Sequence, residues 1–433
     1  MAQAALAADI GGTFTDVVVE ANGQRFATKL LTTYAAPEAA VLEGAERVLA
    51  EAGIGFGDLS AVIHGATLAT NAIIERKGAK TALIATDGFR DVLDIADESR
   101  FDQYDITIDK PKQLVARPAR FTVPERVDVN GTVLKPLDEA ALRAVVEQIV
   151  AQGFESIAIA FLHSYANPHH EQQARAIIAE MAPALAVSLS CEVCPEIREY
   201  ERTSTTVANA FVQPLMAGYL MRLQAKLGER GCPAPLRLMT SGGHLTSVET
   251  ACRFPVRLVE SGPAGGAILA AHIARERAED RILSFDMGGT TAKICFIENG
   301  EPLTSRAFEV DRSARFLKGS GLPIRIPVIE MIEIGAGGGS IAHLDITRSI
   351  AVGPESAGSE PGPACYGRGG ENPTVTDADV VLGRIAPDFF AGGTMTLAVD
   401  KAEMAIETVL AEPMGLDLPT AALGIGEIVD ENM

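Results

Sequence analysis

The chain has 433 residues, nearly three times the ~150 residues of a typical domain, which excludes a single small module. A hydrophobic fraction of 47% and a charged fraction of 22% exclude disorder over most of its length and imply a sizeable core. With 37 Lys and Arg against 57 Asp and Glu, the net charge of −20 argues against nucleic acid and anionic membranes as partners.

The chain opens without a basic leader and runs into an apolar strand over residues 4–10. A Gly-Gly turn follows, then a second apolar run over 17–20, and Asn22-Gly23 closes a hairpin. Helical spacing over 37–53 ends at a glycine. Strands over 61–64 and 80–86 flank a helix over 68–77. An exposed hairpin is predicted over 120–133 around Asn130-Gly131, followed by a helix over 139–153, a strand over 156–163 and a helix over 169–181. Residues 195–228 carry few breakers and read as one or two long helices connecting two lobes. Strand, Gly-Gly turn and strand recur over 282–297 and close at Asn299-Gly300. Residues 328–334 look like a strand, 335–373 are dense in Gly, Pro and Ser, and 416–433 are helical. Alternating strands and helices imply an α/β fold, divided into lobes at 1–200 and 201–433.

The two Gly-Gly elements are copies of one pattern. Residues 8–24 read ADIGGTFTDVVVEANGQ and residues 285–301 read FDMGGTTAKICFIENGE, sharing Asp, Gly, Gly, Thr and a later Asn-Gly without a gap. Glycines without a Cβ let backbone N–H groups converge on a phosphate, and the following hydroxyls can donate to its oxygens. The expected phosphate contacts are Gly11, Gly12, Thr13 and Thr15 in the first copy, with Gly288, Gly289, Thr290 and Thr291 in the second. Asp9 and Asp286, at the strand ends, are placed to hold hydrated Mg²⁺. One such turn reads equally well as a plain hairpin; two with matching Asp and Thr favour a clamp. The copies differ where Asp16 is replaced by Lys293, a cation suited to offset charge in phosphoryl transfer, or else a solvated strand-edge lysine.

These paired turns resemble the phosphate motifs of the two-lobed actin, sugar kinase and chaperone ATPase fold. More specifically, the chain resembles the A subunits of the hydantoinase/oxoprolinase family, which includes the ATP-binding subunits of acetone and acetophenone carboxylases. The resemblance runs through ADIGGTFTD (8–16), HGATLATNAIIERKGAKTALIATDGFRDVL (64–93), REYERTSTT (198–206), SGPAGG (261–266), SFDMGGTTAK (284–293), GAGGGSIA (335–342) and VGPESAGSEPGPACYG (352–367). It implies ATP and Mg²⁺ as cofactors, a B-type partner subunit in a hetero-oligomer, and a further Gly-rich adenosine motif beyond Met433. The shorter second half, 148 residues from Asp286 onward, agrees with a chain that continues further.

Other patterns carry less. His64, Thr67, Asn71, Glu75 and Arg76 follow a strand into a helix, and Thr67, Asn71 and Glu75 line one helical face, suited to a polar substrate or merely exposed. Residues 198–202 read as a solvated, ion-paired helix. Cys191 and Cys194 lack a second pair at zinc spacing, and Cys295 reads as a small core residue. Gly337 and Gly338 are candidates for a nucleotide nest, with a mobile hinge as the alternative. No apolar run reaches the ~18 residues of a membrane span, and scattered cysteines suit a reduced cytoplasmic protein.

The expected function is ATP-dependent hydrolysis of a cyclic amide such as a hydantoin, oxoproline or another lactam. Phosphorylating the amide oxygen breaks the C–N resonance that protects the bond. Asp9, Asp16, Asp286 and Lys293 are the catalytic candidates, Asp16 as base or positioning group. The alternatives are a ketone carboxylase subunit and a non-catalytic nucleotide-binding assembly subunit.

Overall fold

The computed structural model describes residues 4–33, 36–313 and 317–433. Strands β1 (Ala4–Ile10) and β2 (Phe14–Ala21) pair antiparallel, and their alternation buries Leu6, Ala8, Ile10, Val17 and Val19 on one face. The same period of two leaves Asp9 and Asp16 on the other face, directly across the ladder from each other. Asn22 and Gly23, at φ 54° and 76°, turn the chain into β3 (Gln24–Leu31), the conformation an Asn-Gly hairpin requires. Helix α1 (Pro37–Ala52) then covers the apolar face with Val41, Leu42, Ala45, Val48 and Leu49, and Gly53 caps it at φ 69°.

Strand β4 (Leu59–Ala66) returns parallel to β1, and α2 (Leu68–Ile74) leaves its end. The chain next builds a second sheet from β5 (Thr81–Thr86), β6 (Arg120–Val123), β7 (Ser156–Ala160) and β8 (Ala186–Leu189). Its order is β8-β7-β5-β6 and every pairing is parallel. Such a sheet needs cover on both sides, and β5 and β7 are buried along their whole length. Helices α3 (Glu139–Ala151) and α4 (His169–Met181) pack on one side.

Here the structure corrects the sequence. Residues 120–123 belong to the parallel sheet, and the hairpin around Asn130-Gly131 is confined to 126–127 and 133–135. The signal was obscured by Arg120, which is buried because its guanidinium donates two bonds to Asp94 and one to the Val115 carbonyl.

Helix α5 (Glu199–Glu229) is one helix of 31 residues that tolerates Pro214. It is a divider between the two sheets, giving Val207 and Ala210 to one core and Phe211, Met216 and Leu220 to the other. Within residues 198–202 only Arg198 is exposed, while Arg202 is 1% exposed, pairs with Glu199 and donates to the carbonyls of Glu196 and Phe161. Strands β9 (Leu236–Met239) and β10 (Leu245–Ser247) rejoin the first sheet, giving the order β10-β9-β4-β1-β2-β3. That sheet draws its last strands from beyond residue 200.

Helix α6 (Ser261–Arg277) leads into β11 (Arg281–Met287) and β12 (Ala292–Glu298), the second Gly-Gly hairpin, with β13 (Ile332–Ile334) on its far side. Asn299 and Gly300 repeat the positive-φ turn of the first copy at 52° and 74°. Helices α7 (Val375–Val381) and α8 (Leu418–Asn432) close a last small core. Among the described residues no helix is long and apolar enough to cross a membrane.

Candidate functional site

The two Asp-x-Gly-Gly-Thr turns are built alike. Gly11 N–H donates to the Phe14 carbonyl at 2.8 Å, and Gly288 N–H donates to that of Thr291 at 2.9 Å. They also face each other: a Cβ on Gly289 would lie 3.1 Å from Thr13 Oγ1. Residues 276 positions apart in the chain thus come into contact.

Asp9 ends β1 just before the first turn and lies against Gly65 and Gly262. A Cβ on Gly65 would lie 2.7 Å from its Oδ1, and one on Gly262 would lie 2.8 Å from it, so only glycines leave room for the carboxylate. Oδ1 is buried and has no hydrogen-bond partner. Burial, followed by the charges of Asp16 and Asp286, pushes the Asp9 carboxyl up to about 6, with Lys29 acting in the opposite sense. A buried acceptor short of donors and beset by negative charge fits a cation. Among the described residues no three His, Cys, Asp or Glu side chains cluster closely enough to hold a metal by themselves.

Each hairpin carries a row of charges on one face. In the first sheet Asp9 lies opposite Asp16, and Asp16 opposite Lys29, whose Nζ is 2.7 Å from Asp16 Oδ2. In the second, Asp286 lies opposite Lys293, and Lys293 opposite Glu333. Lys293 is not a free strand-edge cation. Its Nζ is bound by Glu260 and lies 3.3 Å from Glu333 Oε1. Burial opposes its charge, but the two carboxylates outweigh it and hold the ammonium above its ordinary value.

Several expected contacts prove to be supports. Thr15 is fully buried with its Oγ1 3.0 Å from that of Thr32, whose hydroxyl in turn donates to the Gly11 carbonyl, so Thr15 braces the turn from below. Gly337 and Gly338 do not form an open nest: Gly337 N–H donates to Ser340 Oγ and Gly338 N–H to the Gly288 carbonyl, while Gly339 N–H takes that of Gly289. The segment is a buttress behind the second turn. Thr290 is exposed and Thr291 half-buried.

The substrate candidates also separate. His64 is buried: its Nδ1 donates to the Ala8 carbonyl at 3.0 Å and its Nε2 accepts from the Tyr219 hydroxyl at 2.7 Å. Burial pushes the imidazole down to about 4, so it is a neutral framework group rather than a substrate contact. The Thr67 hydroxyl is spent on the Ile10 carbonyl, and Glu75 pairs with Lys77. Asn71 stands beside the first turn, with Nδ2 3.5 Å from where a Gly12 Cβ would be. Arg76 pairs with Asp311 at 2.5 Å, tying α2 to the second half of the chain.

Sequence reading missed Glu260, Gly65 and Gly262. Glu260 takes φ 62° just before α6, its N–H donates to Thr70 on α2, and its carboxylate holds Lys293 on β12. The signal was present in the stretch SGPAGG, but it reports a lack of side chains and not a reactive group. Cys191 and Cys194 carry free thiols that burial pushes up, Cys194 to about 11, as expected of packing residues.

The chain is thus an α/β protein in which two matching turns meet over an unsatisfied carboxylate. The hydantoinase/oxoprolinase N-terminal region matches residues 5–182 and the hydantoinase/oxoprolinase domain matches residues 202–433, and the chain belongs to that family. It is 41% identical to an uncharacterised protein of Methanocaldococcus jannaschii, over 98% of this chain and 63% of the other. It is 37% identical to the caprolactamase subunit alpha of Pseudomonas jessenii, over 99% of this chain and 61% of the other. Among solved structures, nucleotide-free acetone carboxylase matches with a TM-score of 0.86 at 29% identity, over 100% of this chain and 62% of that one. The ATP-dependent caprolactamase of Pseudomonas jessenii matches at 0.78 and 37%, over 99% and 62%. The chain therefore spans about three fifths of the length of the relatives it matches.

Proposed function

We propose that this chain is the ATP-binding, phosphoryl-transferring part of an ATP-dependent cyclic-amide hydrolase, built on a two-lobed actin-like plan. The observation that carries the reading is the contact of Gly289 with Thr13 above the unpartnered Asp9 oxygen. Thr13 and Thr290 would donate to phosphate oxygens, and the two turns would align ATP with the acceptor. Asp9 would hold Mg²⁺ together with Asp286; the ion supplies charge neutralisation for the phosphates when bound. Asp16, held by Lys29, keeps the field around Asp9 negative and raises the site's demand for a cation. In the reaction the amide oxygen attacks the γ-phosphorus, the bond to the ADP oxygen breaks, and ADP departs. Water then adds to the activated carbon, the C–N bond breaks with the nitrogen taking up a proton, and inorganic phosphate leaves to give the ring-opened amino acid, steps we assign to a B-type partner in a hetero-oligomer.

The caprolactamase and 5-oxoprolinase relatives support the amide as acceptor. A ketone carboxylase subunit is the second reading, favoured by the higher TM-score to acetone carboxylase. ADP release from the assembled protein separates them: stimulation by lactams supports the first, and stimulation only by a ketone with bicarbonate supports the second. Asp9→Asn with Asp286→Asn should abolish ADP release while assembly survives. A scaffold without catalysis would show no ADP release before substitution.

A further inference from the structure

A cavity of about 350 Å³ lies at the outer edge of the first sheet, where β3 ends the strand order. Its size is within the usual range of ligand sites. One wall comes from the β2–β3 ladder and the other from residues 366–395, so both halves of the chain line it. Phe14 lies opposite Leu31 and Asp16 opposite Lys29, and the period of two puts these four on the face that carries Asp9. The opposing wall is held by aromatic contacts. Phe390 packs against Phe14 at 6.0 Å between ring centres and against Tyr366 at 5.6 Å. The Thr394 hydroxyl donates to the Ala391 carbonyl at 2.8 Å, and Ala391, Gly392 and Gly393 all take positive φ, at 51°, 68° and 84°. A left-handed backbone is costly for alanine and persists where its surroundings fix it.

Charge sets this cavity apart from the rest of the molecule. Its lining carries Lys29, Arg47 and Arg368 and, among the described residues, no carboxylate, in a chain of net charge −20. Lys29 is held by Asp16 and lies 5.0 Å over the Phe14 ring. Arg47 pairs with Glu43 one turn away on α1, an exposed pairing that a bound anion can replace. Arg368 is exposed and, among the described residues, has neither a hydrogen bond nor an ion pair; the Tyr366 hydroxyl is in no hydrogen bond either. Aromatic rings and an uncommitted guanidinium thus face one space whose field is locally positive.

We propose that this cavity binds a flat aromatic ring carrying a carboxylate, as a ligand separate from the phosphoryl acceptor. The ring lies against Phe14 and Tyr366, and the carboxylate takes paired hydrogen bonds from Arg368. Strand β3 is two strand spacings, about 10 Å, from Asp9 on β1, so the ligand does not meet the phosphates. It touches Phe14 from the first half and Tyr366 from the second, and so favours the arrangement in which the halves meet. The test is calorimetric titration of the full chain without nucleotide, using phenylacetate, acetate as the carboxylate without a ring, and phenylethanol as the ring without a charge. Phenylacetate should bind more tightly than either by roughly tenfold or more, and added salt should weaken it. Arg368→Gln should lower its affinity by roughly tenfold or more, while Arg277→Gln, at the far end of α6, leaves it unchanged. Both positions are exposed, and matching melting temperatures would show that the variants are folded. No binding of phenylacetate at millimolar concentration, equal binding of acetate or phenylethanol, or phenylacetate binding that survives Arg368→Gln would overturn the proposal. Nucleotide enters none of these measurements, so their outcome is independent of the function proposed above.

Discussion

Asp9 concentrates the cost of the site in one carboxylate. Its pKa of about 6, against an ordinary 3.8, means that the folded chain binds this proton more tightly than the unfolded chain. Stability attributable to Asp9 is therefore greatest below pH 4 and falls as pH rises to 6, by about 3 kcal/mol at ~1.36 kcal/mol per pH unit. Asp9→Asn should melt at a higher temperature than the parent above pH 6, with the gap closing near pH 4, while nucleotide-dependent turnover disappears. A melting curve at pH 8 showing no gain would mean that the carboxylate is not under strain. Lys293 has the same sign in a higher pH window, here because its charged form is held by carboxylates. Its raised pKa gives stability that is complete below pH 10.5 and lost only as pH climbs through the folded value. Lys293→Met should cost about 3 kcal/mol in denaturant titration, because Glu260 is left buried without its cation, and adding Glu260→Gln should recover part of it. Both aspartates could be picked out in the sequence because Asp precedes Gly-Gly in each copy. Gly65 and Gly262 could not, since their role is to leave space for a residue far away in the chain.

At the scale of elements, local grammar was readable and long-range support was not. The hairpins, α1, α4 and the Asn-Gly turns follow from alternation, glycine caps and turn chemistry, all of which act within a few residues. The stretch 335–340 is glycine-rich for a reason that the sequence left open. A Cβ on Gly337 would come within 2.7 Å of the Gly288 carbonyl oxygen and 2.8 Å of Thr290 N, so this segment presses backbone to backbone against the second turn. His64 misled for the converse reason: a polar residue at a strand end looks available, yet Ala8 and Tyr219 occupy both ring nitrogens. If the buttress sets the second turn, Gly337→Ala should weaken ATP binding by roughly tenfold or more, the ~1.4 kcal/mol equivalent of one displaced contact. The melting temperature should fall by only a few degrees, because the segment contributes little apolar burial. Unchanged nucleotide affinity would show that the turn holds its shape without support.

The two hairpins also differ in how the rest of the molecule covers them, and no local pattern announces this. The apolar face of β1–β2 lies under α1, and the outer edge of β1 is paired by β4. For β11, among the described residues, no strand pairs with the outer edge. Leu283, Phe285 and Met287 share one face of this strand and are 53%, 49% and 37% exposed, with Phe296 opposite Leu283 adding a further exposed ring. The other face, carrying Ile282, Cys295 and Ile297, packs against α6, so the hairpin is firmly held while half of it stays bare. An open strand edge beside an exposed apolar face is a template for pairing with another chain. The 433-residue chain on its own should therefore self-associate with increasing concentration, measured by sedimentation velocity. Leu283→Lys with Phe285→Lys should shift it toward the monomer, since inward charge on an edge opposes pairing. The double variant should keep its melting temperature within about 2 °C, because surface substitutions of this kind usually change stability by under ~0.5 kcal/mol. Association of undiminished strength in the double variant would place the contact elsewhere and leave the β11 edge without a role in it.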